Sequence, residues 1–512
     1  MHVSMPVGTP YRLSGVDLII VAAYLAGITL FGFRFRPKNR SLRNYFLANR
    51  TIPWWAITLS IVAAETSTLT IVSVPGLAFV GNWEFLQLVL GYLLGRVVVC
   101  VIFLPRYFRG ELFTAYELIG QRFGPRLHRF SALLFLLLRA AAEGVRVFAV
   151  SIVVGAAIGT HDILSIAIIC VLTLAYTLEG GLSAVIWTDV AQMFLYLGGV
   201  AVAVIVLGHS IASGWGTVYG VGIAAGKLKM FDFAVNLTHT YTFWAGVVGG
   251  CFLTMASHGT DQLMVQRLLA AKSLRESRIA LLVSGIVVFV QFALFLAIGT
   301  GLYFFYQASG LNYRSATPDR VFPLFIVQHM PMGISGLLIA AVLAAAMSNL
   351  SAAVNSLSST SMVDFYLRWR PESGELQRSR LARLMAVFWT IVLFVLARIS
   401  RTSGHVVEVG LSIASVAYGA LLGVFLLGTL SRRANERGTI VGMVFGLVVE
   451  LVLWRLPHAW SFSFHAFRIF IPKIAWTWFV LIGSLSTFIV GWIASYPLST
   501  GEQRIIEEKE SG

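Results

Sequence analysis

The stretch Ala340–Ser361, AAVLAAAMSNLSAAVNSLSSTS, contains no charged residue. Its small and apolar residues make it long enough to cross a bilayer core of ~30 Å, which takes about 20 helical residues. Polar side chains nevertheless recur inside it. Ser348, Ser351, Asn355 and Ser358 follow one another at spacings of three, four and three, which puts them on one helical face. Small residues and hydroxyls let helices pack closely in lipid. A row of neutral oxygens also suits a hard, weakly held cation such as sodium better than a tightly bound metal. The spacing leaves both readings open, and the surrounding sequence must separate them.

Composition gives the class. Of the 512 residues, 57% are hydrophobic and only 12% charged, with mean hydropathy +0.81, whereas a soluble domain carries about 25% charged residues. Apolar runs recur at 15–34, 53–80, 84–105, 127–158, 162–178, 182–209, 240–267, 278–306, 333–366, 380–399, 405–430, 438–455 and 474–495. The sequence therefore predicts an all-α polytopic membrane protein with about thirteen transmembrane helices. Met1–Ser14 has no apolar core of the signal-peptide kind, so no cleaved leader is expected. Cys100, Cys170 and Cys251 lie in apolar runs without a Cys-x-x-Cys pair, which predicts packed thiols rather than disulfides or a zinc site.

Basic residues orient the spans. Arg43 and Arg50, Arg106 and Arg109, Arg122 to Arg129, Lys272 to Arg278, Arg368 to Arg383, and Arg432 to Arg437 fall in alternate loops. That bias predicts a multi-pass protein of the cell (plasma or inner) membrane, N-terminus outside and C-terminus cytoplasmic. It also accounts for the net charge of +15 without nucleic-acid binding, because the basic residues are spread over short loops.

Two spans carry polar clusters at bilayer depth. Pro53–Thr70 contains Glu65, Thr66, Ser67 and Thr68, with Pro75-Gly76 following; Phe252–Gln262 contains Ser257, His258 and Asp261, with Gly249-Gly250 before it. Breakable, polar segments at matching positions of two halves point to a transporter of inverted repeats. The 512 residues then form a single transmembrane domain: an extra helix at 15–34, a first repeat at 53–209, a second at 240–430, two accessory helices at 438–495 and a cytoplasmic tail at 496–512.

Four stretches carry a resemblance. Tyr176–Gln192 (YTLEGGLSAVIWTDVAQ), Asp261–Lys272 (DQLMVQRLLAAK), Tyr45–Trp55 (YFLANRTIPWW) and the Ser/Asn-rich helix from Ala344 resemble, in order, the sodium:solute symporter family of sodium/glucose, sodium/proline and sodium/sialic acid cotransporters. The resemblance implies a leucine-transporter-type fold, a 5+5 inverted repeat with the first helix of each repeat broken. It implies a sodium site from the carbonyls of Ala63, Thr66 and Ala345 and the side chains of Ser348 and Asn349. A hydroxyl is usual in the family where Asn349 stands here. It also matches Asp189 to an aspartate that in some relatives lies near a second cation. With Ser351 as partner, that position could serve an ion, a proton or the structure alone.

For the solute, the candidates at the midplane are Glu65, Thr70, Glu84, Gln87, Asp261, Gln262 and Gln291. Carboxylates there suit hydroxyls, amines or a proton-linked step and disfavour a simple carboxylate. Arg139, Glu143 and Arg146 share one helix face and are expected to form a structural or gate network. His258 and Asp261 lack a nucleophile motif, and Gly226-Lys227 lacks the rest of a phosphate loop, so no enzyme is expected. The expected function is sodium-coupled import of a small polar organic solute by alternating access. The partners are that solute and the lipid bilayer, with no nucleic acid and no obligatory protein partner. A proton-coupled symporter using Glu65 or Asp189, and a sodium- or solute-sensing module, remain as alternatives.

Overall fold

The computed structural model describes residues 13–35, 41–110, 112–158, 162–211, 214–308, 318, 321–400, 406–455, 460–464, 467–471 and 473–496. The predicted tail beyond residue 496 lies outside them. The main helices, in chain order, are α1 (Gly15–Phe33), α2 (Trp54–Glu65), α3 (Thr68–Val80), α4 (Leu86–Ile102), α5 (Pro125–Ile158), α6 (Asp162–Ser210) and α7 (Gly250–Gly259). They continue as α8 (Gln262–Leu269), α9 (Leu274–Ala308), α10 (Ile334–Thr360), α11 (Glu375–Ile399), α12 (Val406–Leu430), α13 (Glu436–Arg455) and α14 (Phe479–Ala494). Among the described residues, eight helices are long and apolar enough to cross a membrane, fewer than the thirteen spans expected; α2 and the stretch Tyr418–Leu430 of α12 are shorter apolar helices. The chain is a multi-pass membrane protein, and the regular structure of its described residues is helical apart from one antiparallel hairpin, Trp460–Phe464 with Phe467–Ile471.

The serine-rich stretch is the centre of the molecule. The span built on α10 is 94% buried, against 22% for α1, and α10 packs on α6, α5, α1 and α11. Ile19, Leu30, Val101, Val171 and Phe194, on peripheral faces, are exposed as lipid-facing residues should be. The start of α10 is pinned to α1. Asp17 forms a capping box with Ser14, and its other carboxylate oxygen accepts the Gly333 and Gly336 N–H groups, each at 2.8 Å.

Both polar spans are interrupted. Between α2 and α3, Thr66 is extended (φ −79°, ψ 103°), and Ser67 restarts the helix through a capping box with Thr70. Between α7 and α8, Asp261 is extended (φ −78°, ψ 121°) and caps α8 through the Leu263 N–H. In each case short polar side chains take over the orphaned backbone groups that apolar ones could not. The spans expected at 162–178 and 182–209 follow one another as α6, two helices parted at Gly181, where φ is +54° and ψ −147°. A side chain there would run into the Tyr45 backbone and ring.

Candidate functional site

The break after α2 lies against the middle of α10. The Asn349 amide spans the two: Nδ2 donates to the Thr66 carbonyl and to the Ala345 carbonyl, each at 3.0 Å. Ala63, Thr66, Ala345, Ser348 and Asn349 are all buried. Gln291 of α9 supports the same junction, donating from Nε2 to the Thr66 hydroxyl at 2.7 Å and to the Tyr196 hydroxyl at 3.2 Å. The carbonyls of Thr66 and Ala345 and the side chain of Asn349 are thus brought together. Asn349 Oδ1 is buried and has no hydrogen-bond partner among the described residues.

Ser348 turns its hydroxyl toward Asp189, donating to Oδ1 at 2.7 Å. The other carboxylate oxygen accepts from Ser60 at 2.6 Å and from Arg267 Nη2 at 3.0 Å, while Arg267 Nε donates to Ser60 at 2.8 Å. Arg267, Asp189, Ser60 and Ser348 are fully buried, so α2, α6, α8 and α10 meet around one closed ion pair. A guanidinium offers Asp189 the positive charge that a second cation would supply. Ser351, the expected partner, donates instead to the Ser348 carbonyl along its own helix at 2.9 Å.

Glu65, the last residue of α2, pairs with Arg96 of α4. His258 Nε2 of α7 lies 3.6 Å from the same Glu65 oxygen. Arg96 is held in turn by Ser284 and by the Tyr92 carbonyl. At the second break, Asp261 accepts from Tyr418 of α12 at 2.7 Å and from Arg139 of α5 at 3.3 Å. Arg139 also bonds Glu143 at 3.2 Å, and Glu143 accepts from Arg146 at 3.4 Å. The expected network on α5 exists and extends to Asp261. Beside it, Ser67, Glu143, Arg146 and Asn349 line a cavity of about 10 Å³, enough for one water-sized sphere and too small for an organic solute.

The other solute candidates are dispersed. Glu84 pairs with Lys229 at 2.8 Å at the surface, where that partner holds the lysine's pKa above its ordinary value. Gln87 ties down the loop before α7, accepting from the Asp232 N–H and donating to the Tyr241 carbonyl. Gln262 joins Ala115 N–H, the Phe113 carbonyl and Ser359. Thr70 is engaged in its capping box, so only Glu65, Thr70 and Gln291 cluster at the first break. Sequence reasoning missed Arg96, Arg267, Ser60 and Tyr418. The two arginines had a signal, since a basic residue in an apolar run at bilayer depth needs an acid partner. A second missed cluster closes the other end of α10: Asp364 accepts from Thr114 at 2.7 Å and lies 2.6 Å from His128 Nε2.

The family model for the sodium:solute symporter family matches residues 45–446. The sodium/sialic acid symporter SiaT of Proteus mirabilis is 26% identical over 504 residues, covering 97% of this chain and 98% of that protein. The human sodium/iodide cotransporter is 27% identical over 437 residues, covering 83% of this chain and 67% of that protein. A solved structure of a Na+-coupled sialic acid symporter, substrate-bound and outward-open, matches with TM-score 0.85 at 26% identity, covering 95% of this chain and 98% of that one.

Proposed function

The chain belongs to the sodium:solute symporter family, a family of sodium-coupled transporters and not of enzymes, and from that premise we propose that it imports a small polar organic solute with sodium by alternating access. The observation that carries this is the junction of the α2–α3 break with α10, where two backbone carbonyls and Asn349 converge, with Ser348 buried one residue before Asn349 on α10. The oxygens fit a monovalent cation once the Asn349 N–H groups turn away from them. Around that site the chain forms a 5+5 inverted repeat whose first helices are α2–α3 and α7–α8. Its N-terminus is outside and its C-terminus cytoplasmic.

The mechanism follows from these contacts. Sodium entering from outside holds the break against α10, which preorganises the residues where a solute binds once the small cavity beside it widens, so ion and solute bind with positive coupling. Inward opening parts the two helices and weakens the ion's shell. One charge crossing ~100 mV contributes about 2.3 kcal/mol and a tenfold sodium gradient about 1.4, together enough for roughly 500-fold accumulation per ion.

The solute reading needs one revision. Glu65 and Asp189 each lie against an arginine, and Asp261 is answered by Arg139. These carboxylates therefore project little net negative charge, and the expectation that they repel an acidic solute loses its basis. Arg146, which lines the cavity and holds Glu143 only at 3.4 Å, is placed to meet an acidic group. Two relatives named for sialic acid and iodide support the same choice. A hydroxylated acid of the sialic acid kind is the first solute to try. Proteoliposomes carrying sodium or proton gradients imposed separately test the function. Accumulation should require inward sodium; accumulation on a proton gradient in sodium-free buffer would overturn it.

A further inference from the structure

Asn349 donates both amide N–H bonds to carbonyls that face one another across the α2–α3 break and α10, each at 3.0 Å. Its Oδ1 is buried with no partner among the described residues, an arrangement that costs free energy unless something repays it. Rotation of the amide by half a turn about its last side-chain bond exchanges nitrogen and oxygen with almost no change of shape. The rotated amide would bring three oxygens together: Thr66 O, Ala345 O and Asn349 Oδ1. Three acceptors with no proton among them are stable only around a cation. The two orientations thus belong to two states, one complete without an ion and one complete only with it.

Resting on the sodium reading above, we infer that Asn349 is an amide switch: its N–H groups stand in for sodium in the ion-free protein, and its rotation admits the ion. A serine or threonine could not do this. One hydroxyl proton makes one bond where the amide makes two, leaving either the Thr66 carbonyl unanswered or the Ala345 carbonyl with its helical partner alone, so the ion-free junction would loosen. The stand-in competes with sodium, because only the rotated fraction can bind it, and apparent affinity falls by that fraction. Two neutral hydrogen bonds correspond to a weakening on the order of tenfold. The switch also links ion to solute. Asn349 lines the cavity with Ser67, Glu143 and Arg146, and rotation sends its N–H donors away from the carbonyls, free for an acceptor on that side.

The test is sodium binding to the purified full-length protein, read by thermal unfolding across a sodium titration at constant ionic strength with choline. It compares the native chain with Asn349→Ser and Asn349→Thr, so that either variant suffices if the other misfolds. The hydroxyl variants should half-saturate at about tenfold lower sodium and unfold at a lower temperature than the native chain when sodium is absent. Half-saturation unchanged or raised in the variants, with the native chain responding to sodium, overturns the switch and leaves the sodium site intact. No sodium response in any of the three removes the site itself, and the switch with it.

Discussion

Neutralising Arg267 should damage the protein more than neutralising Arg267 and Asp189 together. The pair is fully buried with N–O 3.0 Å, and Ser60 binds both partners. Removing one member of a buried pair costs about 3–5 kcal/mol, most of it the penalty of the stranded charge. In Arg267→Gln the Asp189 carboxylate keeps Ser60 and Ser348 but loses its cation; in Asp189→Asn the guanidinium is stranded instead. The double variant holds two neutral amides that can bond each other and Ser60, so it should lie above both singles. The coupling in the cycle should exceed ~1 kcal/mol. The assay is unfolding by SDS in bicelles, with the midpoint followed by tryptophan fluorescence. Single costs below ~1 kcal/mol, or a double variant that simply adds the two, would refute the view that Arg267 is the fixed counter-charge of Asp189. The same variant carries a second readout. With the guanidinium gone, Asp189 is free to take a cation, so the sodium dependence of any residual uptake should steepen.

Two further substitutions separate site from scaffold. Glu65→Gln keeps a hydrogen-bond acceptor beside Arg96 but strands its charge at bilayer depth, so uptake should fall at least about tenfold, with charge-assisted bonds contributing ~1.5–3 kcal/mol; uptake in proteoliposomes within twofold of the native chain would remove Glu65 from the working site. Gly181→Ala places a side chain at φ +54° against the Tyr45 backbone and ring. Backbone at that φ with ψ −147° is nearly glycine-only and costs another residue about 1–3 kcal/mol, and the yield of monodisperse folded protein on size exclusion should drop sharply.

Much of the architecture was readable because lipid imposes a simple rule: backbone must bond to itself, so exceptions show. Glu65 to Thr68 and Ser257 to Asp261 are such exceptions, and both mark breaks. The helix with the longest uncharged polar stripe is the most buried. What stayed hidden is partnership. Gln87 and Gln262 look like solute groups in sequence because both are polar, inward and near a break, yet each satisfies backbone groups more than a hundred residues away. Arg96 and Arg267 needed acids, but nothing along the chain says which. The count of spans is not a matter of single long helices. The α2–α3 and α7–α8 pairs are built from helices too short to meet a spanning length, although each pair occupies the place of one apolar run.

The distribution of strong and weak contacts says where the molecule can open. The two broken helices are tied to each other by polar contacts: Glu65 of α2 lies against His258 of α7, and Ser60 of α2 bonds both members of the ion pair between Asp189 of α6 and Arg267 of α8. Breaking that pair costs about 3–5 kcal/mol, comparable to all of the ~3.7 kcal/mol that one sodium ion can deliver. The seam with α10 holds no ion pair among the described residues. It consists of two neutral bonds from Asn349, each net ~0.5–1.5 kcal/mol, and one hydroxyl donated to Asp189, about 1.5–3. Parting the α10 seam separates no ion pair, so α2 and α8, with Asp189 of α6 and Arg96 of α4 bound to them by charge, should travel as one body against α10. Arg139–Asp261 ties that body to α5 as well. At 3.3 Å, with Arg139 shared with Glu143, it is a charged contact built to exchange partners as the seam opens.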